Sequence, residues 1–300
     1  MTQSGYWRNL REENRRAILQ DYGVINKVWY LFPQGGGPRG SFETFTSLKP
    51  NLRSRDLIYL SGVLKEQAVC PVGVLDVTVL GAANQPRQAT SGGVPTGGGA
   101  SWLAPASPVA TTPLIRVIEQ GWAFENIQFA PVAASACITF DRRETAAIPD
   151  SSHGNVRGCY FSAGGATGIG VELIEVKKTN IENCIFEGLA GYAIKNTAGD
   201  GIAAVTHFTI KNNKFMQNTN DVLITNGQYG LTVENQFYTV HTAGGTRLSF
   251  VGGLNCAALD NSFKDAAADV TIVKGYVAAA TGWWRNWTSD TNVPIVTIPA

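Results

Sequence analysis

The hexapeptide Ile181-Glu182-Asn183-Cys184-Ile185-Phe186 constrains this chain more than any other stretch, because it comes back. Phe124-Glu125-Asn126-Ile127-Gln128-Phe129 is a second copy, and Val156-Arg157-Gly158-Cys159-Tyr160-Phe161 is a third, with Gly in place of Asn. Ile210-Lys211-Asn212-Asn213-Lys214-Phe215 is a fourth. Two shortened copies follow, Val233-Glu234-Asn235-Gln236-Phe237 and Leu259-Asp260-Asn261-Ser262-Phe263. The closing Phe falls at 129, 161, 186, 215, 237 and 263, in steps of 32, 25, 29, 22 and 26 residues. A period in the twenties identifies a solenoid, in which each repeat buries its apolar face on its neighbours. The Leu-rich frame of leucine-rich repeats is missing. Short runs such as Val222-Leu223-Ile224-Thr225 and Leu248-Ser249-Phe250-Val251, separated by Gly, Asn and Asp, are strand and turn signals. The expected fold is therefore all-β, a parallel β-helix.

In such a solenoid each residue stands about 4.8 Å from its equivalent in the next coil. The first column, Phe124, Val156, Ile181, Ile210, Val233 and Leu259, is apolar and should point inward. The Phe column should form an aromatic stack. The Asn column suits a tight turn, because Asn and Gly tolerate the left-handed backbone region, and stacked amides can bond from coil to coil. The charged column reads Glu125, Arg157, Glu182, Lys211, Glu234, Asp260. Its first five members alternate in sign, as paired neighbours on a solvated face should.

Three hundred residues can form one such domain. The net charge is +1, so no overall field draws nucleic acid or an anionic membrane. No apolar run reaches the ~20 residues that span a bilayer. Residues 1–16 have no apolar signal-peptide core. Cys70, Cys137, Cys159, Cys184 and Cys256 have no metal-ligand spacing. Cys159 and Cys184 occupy equivalent positions in successive coils and read as small buried core residues, with a stacked disulfide as the alternative. The sequon Asn286-Trp287-Thr288 has no secretion signal to give it meaning.

The chain divides into an arm at 1–20, a cap at 21–56, the solenoid at 57–275 with a long loop at 82–113, and a tail at 276–300. The arm has helical composition and carries four Arg against two Glu. It could cap the solenoid or dock on a partner, and docking would use Tyr6, Trp7, Arg8, Leu10, Arg11, Arg15 and Arg16. In the loop, Ser101-Trp102-Leu103 should pack on the solenoid wall or a neighbouring subunit. Near Tyr276 the repeat should stop. In the tail, Trp283, Trp284 and Trp287 with Ile295 and Ile298 could be an intramolecular cap, an oligomer interface or a stacking platform for sugar rings.

Val24 to Phe32, the turn Gly35-Gly36-Gly37-Pro38 and the Thr/Phe-bearing stretch from Phe42 to Leu48 lead into Asp56-Leu57-Ile58-Tyr59-Leu60 and Val77-Thr78-Val79-Leu80-Gly81. This opening resembles pectate-lyase-like right-handed β-helix proteins over roughly residues 24 to 275. The resemblance implies a right-handed coil with a short N-terminal helix and an extended C-terminal tail. The fold hosts lyases, hydrolases, phage tailspikes and inert virion proteins alike. Phage β-helices commonly trimerise, and the resemblance implies the same here.

Family lyases hold Ca²⁺ with acids from adjacent coils, and hydrolases need two carboxylates at a suitable separation. Here the only stacked acids of the charged column are Glu234 and Asp260. Glu172 and Glu175 read as solvated charges on one strand, and Glu187, Asp200, Asp221 and Asp265 as scattered. Ser152-His153-Gly154 only loosely echoes the hydrolases' Gly-His-Gly, and Thr209-Ile210-Lys211 is explained by the coil pattern. The three His (153, 207, 241) suggest no triad. No catalytic residue, metal or cofactor is therefore expected. The reading is a non-enzymatic bacteriophage virion protein, folded in the host cytoplasm: a homotrimeric capsid decoration (cement) protein on the major capsid protein, with no nucleic acid or membrane partner. The alternative is a tailspike-like polysaccharide depolymerase or host-glycan receptor. A third possibility is a secreted polysaccharide lyase.

Overall fold

A computed structural model describes residues 25–82, 99–130, 135–142, 153–162, 168–197, 205–238, 245–251, 255–263, 271–274, 281–288 and 293–294. For 271–274, 281–284, 287–288 and 293–294 it describes the backbone alone. The residues named for the arm, and Ile295 and Ile298, lie outside this set, and so do the side chains of Trp283, Trp284 and Trp287.

The described chain is a parallel β-helix built on three sheets. The first sheet runs in ten strands from Val28–Leu31 to Thr281–Trp284. The second has ten strands between Gly62–Lys65 and Val293–Pro294, and the third has eight between Ala68–Val69 and Thr271–Lys274. Each complete coil visits them in that order. Thr179–Glu182, Ile185–Glu187 and Tyr192–Thr197 make one coil; Thr209–Lys211, Lys214–Met216 and Asn220–Thr225 make the next. All pairings between named strands are parallel except the last, Trp287–Thr288 against Val293–Pro294.

The Phe column stacks as expected. Phe129, Phe161, Phe186, Phe215, Phe237 and Phe263 lie ring on ring, with centroids 5.2, 4.6, 5.2, 4.8 and 4.7 Å apart and planes within 11°. Trp102 extends the stack below Phe129 at 6.4 Å. It does so from a strand, Ala100–Leu103, inside the segment expected to be loop. Its ring is fully buried and its indole N–H donates to the Glu66 carbonyl. A buried Trp needs such an acceptor, and a strand next to Gly62–Lys65 supplies the geometry. The short helix α1 (Phe45–Leu48), capped by Thr44, lays Phe45 against Trp102 and Trp122 at the N-terminal end of the core.

The expected Asn column is two columns. Asn126, Gly158, Asn183 and Asn212 share an outer turn position at φ between 51° and 61°. Glu234, Asp260 and Arg285 continue that position at 57°, 52° and 51°. The shortened copies are therefore shifted by one residue. Thr232 and Ala258, not Val233 and Leu259, pair onward from Ile210 as the inward column. Asn235 and Asn261 join Asn213 and Asn286 in a second, buried column. There each amide serves two coils at once. Asn235 Nδ2 donates to Ile210 O below (2.9 Å) and to Asn261 Oδ1 above (3.0 Å). Its Oδ1 accepts from the backbone N and Nδ2 of Asn213. The physical reason for the shift is that a buried amide must have every hydrogen bond filled. An exposed left-handed turn position asks less of its residue.

Cys184 and Cys159 occupy this same buried column below Asn213. Their thiols contact Val156 O and Phe124 O, the carbonyls equivalent to those the amides bond. All five cysteines are buried free thiols, and burial pushes the Cys159 thiol well above its ordinary pKa. The solenoid also runs past Tyr276, contrary to expectation. Thr281–Trp284 pairs with Cys256–Leu259, Trp287–Thr288 pairs with Ser262–Phe263, and Asn286 is the top rung of the buried ladder. At the other end, Val28–Leu31 in the expected cap is the first strand of the first sheet.

Candidate functional site

The third sheet has the longest strands, six residues in most coils, and its outer face gathers the polar groups. Alternation explains it: Ile138 and Phe140 face the core, so Thr139 and Asp141 face out. Arg116 Nε and Nη2 both reach Asp141 Oδ2, at 3.1 and 2.8 Å. One coil on, Glu172 is held between two hydroxyls. Thr139 Oγ1 donates to it at 3.3 Å and Thr197 Oγ1 at 2.7 Å. Glu172 thus has specific partners, in place of the simple solvation read from sequence. Glu175 lies beyond the strand, at a turn with φ 54°. Lys195 stands next to Glu172 in register. Glu172 is opposite Thr139 and Asp141 is opposite Ile174, so the two acids are diagonal neighbours on adjacent coils.

Several other charged groups also bridge coils. On the first sheet's side, Arg157 pairs with Glu125 at 3.0 Å, Lys211 with Glu234 at 3.7 Å and Arg285 with Asp260 at 2.6 Å. On the second sheet Tyr160 donates to Glu187. Burial, followed by the Glu187 carboxylate, raises the Tyr160 pKa. Inside the third sheet's first corner Asp221 and Arg247 form a buried pair at 3.1 Å, with Asn218 Nδ2 donating to the other carboxylate oxygen at 2.9 Å. Burial raises the Asp221 pKa to about 7, against the pull of Arg247.

His153 and His207 are exposed at the corner between the third and first sheets, and His207 stacks on Tyr229 at 5.0 Å; His241 lies outside the described residues. Among the described residues, no group of three or more His, Cys, Asp or Glu stands together as metal ligands would. Sequence reading missed the Arg116–Asp141 pair and the Glu172 cradle. The alternation of Cys137 to Asp141 was their visible signal, but the coil-to-coil register that brings Thr139, Glu172 and Thr197 together was not.

No protein-family model matches the chain, and no curated protein matches it in sequence. Solved structures do. Pectin methylesterase from Aspergillus niger superposes over 93% of this chain and 91% of its own, with TM-score 0.52 and 12% identity. Alginate lyase from Paenibacillus sp. str. FPU-7 covers 88% of this chain and 96% of its own, with TM-score 0.50 and 10% identity. The fold is theirs. At such identity the likeness concerns the fold and leaves function to the residues. ORF18 of Geobacillus virus E2 is also similar, at 8% identity and TM-score 0.36 over 62% of its length.

Proposed function

We propose that this chain is a non-enzymatic structural protein of a bacteriophage virion, a homotrimeric decoration protein that binds and stabilises the shell of the major capsid protein. One observation carries the reading. Five outer carboxylates are engaged with neighbouring coils: Asp141 by Arg116, Glu172 by two threonines, and Glu125, Glu234 and Asp260 by cations. Such pairs tie coil to coil and suit a stiff strut. The basic arm, through Tyr6, Trp7, Arg8, Leu10, Arg11, Arg15 and Arg16, grips the shell, and the Trp-rich end joins the copies. The test is sedimentation with purified capsids. The full chain should saturate a fixed number of sites and deletion of residues 1–20 should abolish binding; unchanged occupancy overturns the role of the arm.

A second reading, a polysaccharide depolymerase or host-glycan receptor, is favoured by the outer face of the third sheet. Asp141 and Glu172 are diagonal neighbours on adjacent coils there, and glycoside hydrolases work through a pair of carboxylates on one face. Release of reducing or unsaturated ends from host polysaccharide, lost in Glu172→Gln, would establish it.

A further inference from the structure

At the corner that leads from the third sheet into the first, exposed side chains stand one above another: His153, Lys178, His207 and Tyr229. The register follows from the bridges of Lys177 to Thr206 and of Thr206 to Gln228, and from the pairing of Gly154 with Thr179. Backbone bonds agree with it: the Lys178 N–H donates to Thr206 O and the His207 N–H to Gln228 O. Successive members are about 4.8 Å apart along the axis. Lys178, His207 and Tyr229 hold φ of 55°, 55° and 53°. That left-handed region is costly for any residue but Gly and, to a lesser degree, Asn. The same turn position is taken by Gly121 lower in the solenoid and by Asn255 above. At the turn on the other side of the first sheet, bulky left-handed residues have ion-pair partners: Glu234 has Lys211, and Asp260 and Arg285 have each other. No ion pair of the described residues includes Lys178. Tyr229, at 54% exposure, is the only exposed Phe, Tyr or Trp among the described residues. Its ring stacks on His207.

We propose that this corner is an oxyanion-binding site. Strained positions kept by outward side chains, where neither burial nor an internal salt bridge offsets the strain, are the pattern of a ligand clamp. The column offers donors and no carboxylate. The Lys178 ammonium is flanked by the imidazoles of His153 below and His207 above, and the Tyr229 hydroxyl follows. The adjacent outer column of the first sheet, Asn155, Asn180 and Thr209, brings no charge beside them. A phosphate, sulfate or carboxylate seated between two coils takes a donor from each. Hydrogen bonds from a charged donor to such an anion are the strong ones. The stack of His207 on Tyr229 stiffens the upper wall, because each ring limits the rotation of the other. The anion is either free in solution or carried by an acidic segment of another protein, and both present the same oxygens. The site goes beyond the virion reading and does not rest on it.

The experiment is a titration of the full chain with sodium phosphate at neutral pH and constant ionic strength. It is read by the imidazole proton resonances, assigned with His153→Asn and His207→Asn. The resonances of both residues should move and saturate. In Lys178→Asn the dissociation constant should rise about tenfold or more, as the loss of one charge-assisted hydrogen bond predicts. Asn suits the left-handed turn, so lost binding is not lost fold: without anion, Lys178→Asn and Tyr229→Asn should melt no lower than wild type. An oligoglutamate peptide separates the two sources. Tighter binding than phosphate assigns an acidic protein segment, and weaker binding assigns a free anion. A shift that saturates with neither probe, or with the same midpoint in wild type and Lys178→Asn, marks an adventitious ion only and overturns the site. If both Asn variants melt below wild type without anion, the side chains serve the turn itself, and the proposal falls as well.

Discussion

At the scale of the residue, the buried asparagines do more than the turn asparagines that resemble them in sequence. Asn213, Asn235 and Asn261 each give one amide hydrogen to a carbonyl of the coil below and one to the Oδ1 above. Each Oδ1 also accepts a backbone N–H from the coil below. Asn235→Ala would strip partners from Ile210 O and from both the backbone N and Nδ2 of Asn213, in a column with no exposure. Each group left buried and unsatisfied costs about 1–3 kcal/mol. The variant should lose roughly 3 kcal/mol or more, read as a lower urea midpoint. Asn212→Ala removes only an exposed amide contact to Asn183 at a left-handed turn. It should cost about 1 kcal/mol, mostly backbone strain. Equal losses would mean that the two columns are equivalent after all. Gly158 shows why the outer column is choosy in another way. At φ 61° a Cβ there would stand 2.6 Å from Asn126 Oδ1.

At the scale of the element, the period and the closing Phe were legible in sequence because a stack tolerates little variation: each ring must meet the next. Phe186→Ala should cost about 3–5 kcal/mol by opening a cavity between Phe161 and Phe215. Phe186→Leu should cost distinctly less in the same urea titration. The shortened copies were misread by one residue because Val-Glu-Asn-Gln-Phe is equally compatible with losing a residue before or after the turn. Only the filled amide ladder decides. The strand Ala100–Leu103 was hidden by its Gly/Pro-rich surroundings, though Trp102 already marked a buried position. The third sheet's corner makes a different prediction. The Asp221 carboxyl, ordinarily near 3.9 unfolded, is raised to about 7 when folded, chiefly by burial. The folded state therefore holds this proton more tightly. The stability it contributes is full below about pH 4 and is lost as pH rises through 7. Melting temperature should fall from pH 5 to 8 in wild type. The double variant Asp221→Asn with Arg247→Met should show a flatter profile, since it removes both charges and leaves none buried alone.

At the scale of the whole molecule, a solenoid is nearly one-dimensional, and each coil is stabilised by the coil on either side. The charged pairs, the Phe stack and the amide ladder all run along the axis and connect only adjacent coils. Loss of an end should then be felt locally. Removing residues 281–300 would leave Asn261 without Asn286 Oδ1, which accepts from both its backbone N and its Nδ2. It would also uncover the edges of Cys256–Leu259 and Ser262–Phe263. An exposed parallel edge is a template for pairing with other chains, so the truncated protein should aggregate more readily at equal concentration. Hydrogen exchange should show where the damage stops. Protection should drop across Leu231–Phe263 and persist in Tyr160–Ser162 and Ile185–Glu187, two or more coils away. Uniform loss of protection across all coils would mean that the chain folds as one cooperative block. In that case the axial contacts would be too strong for any coil to open without its neighbours.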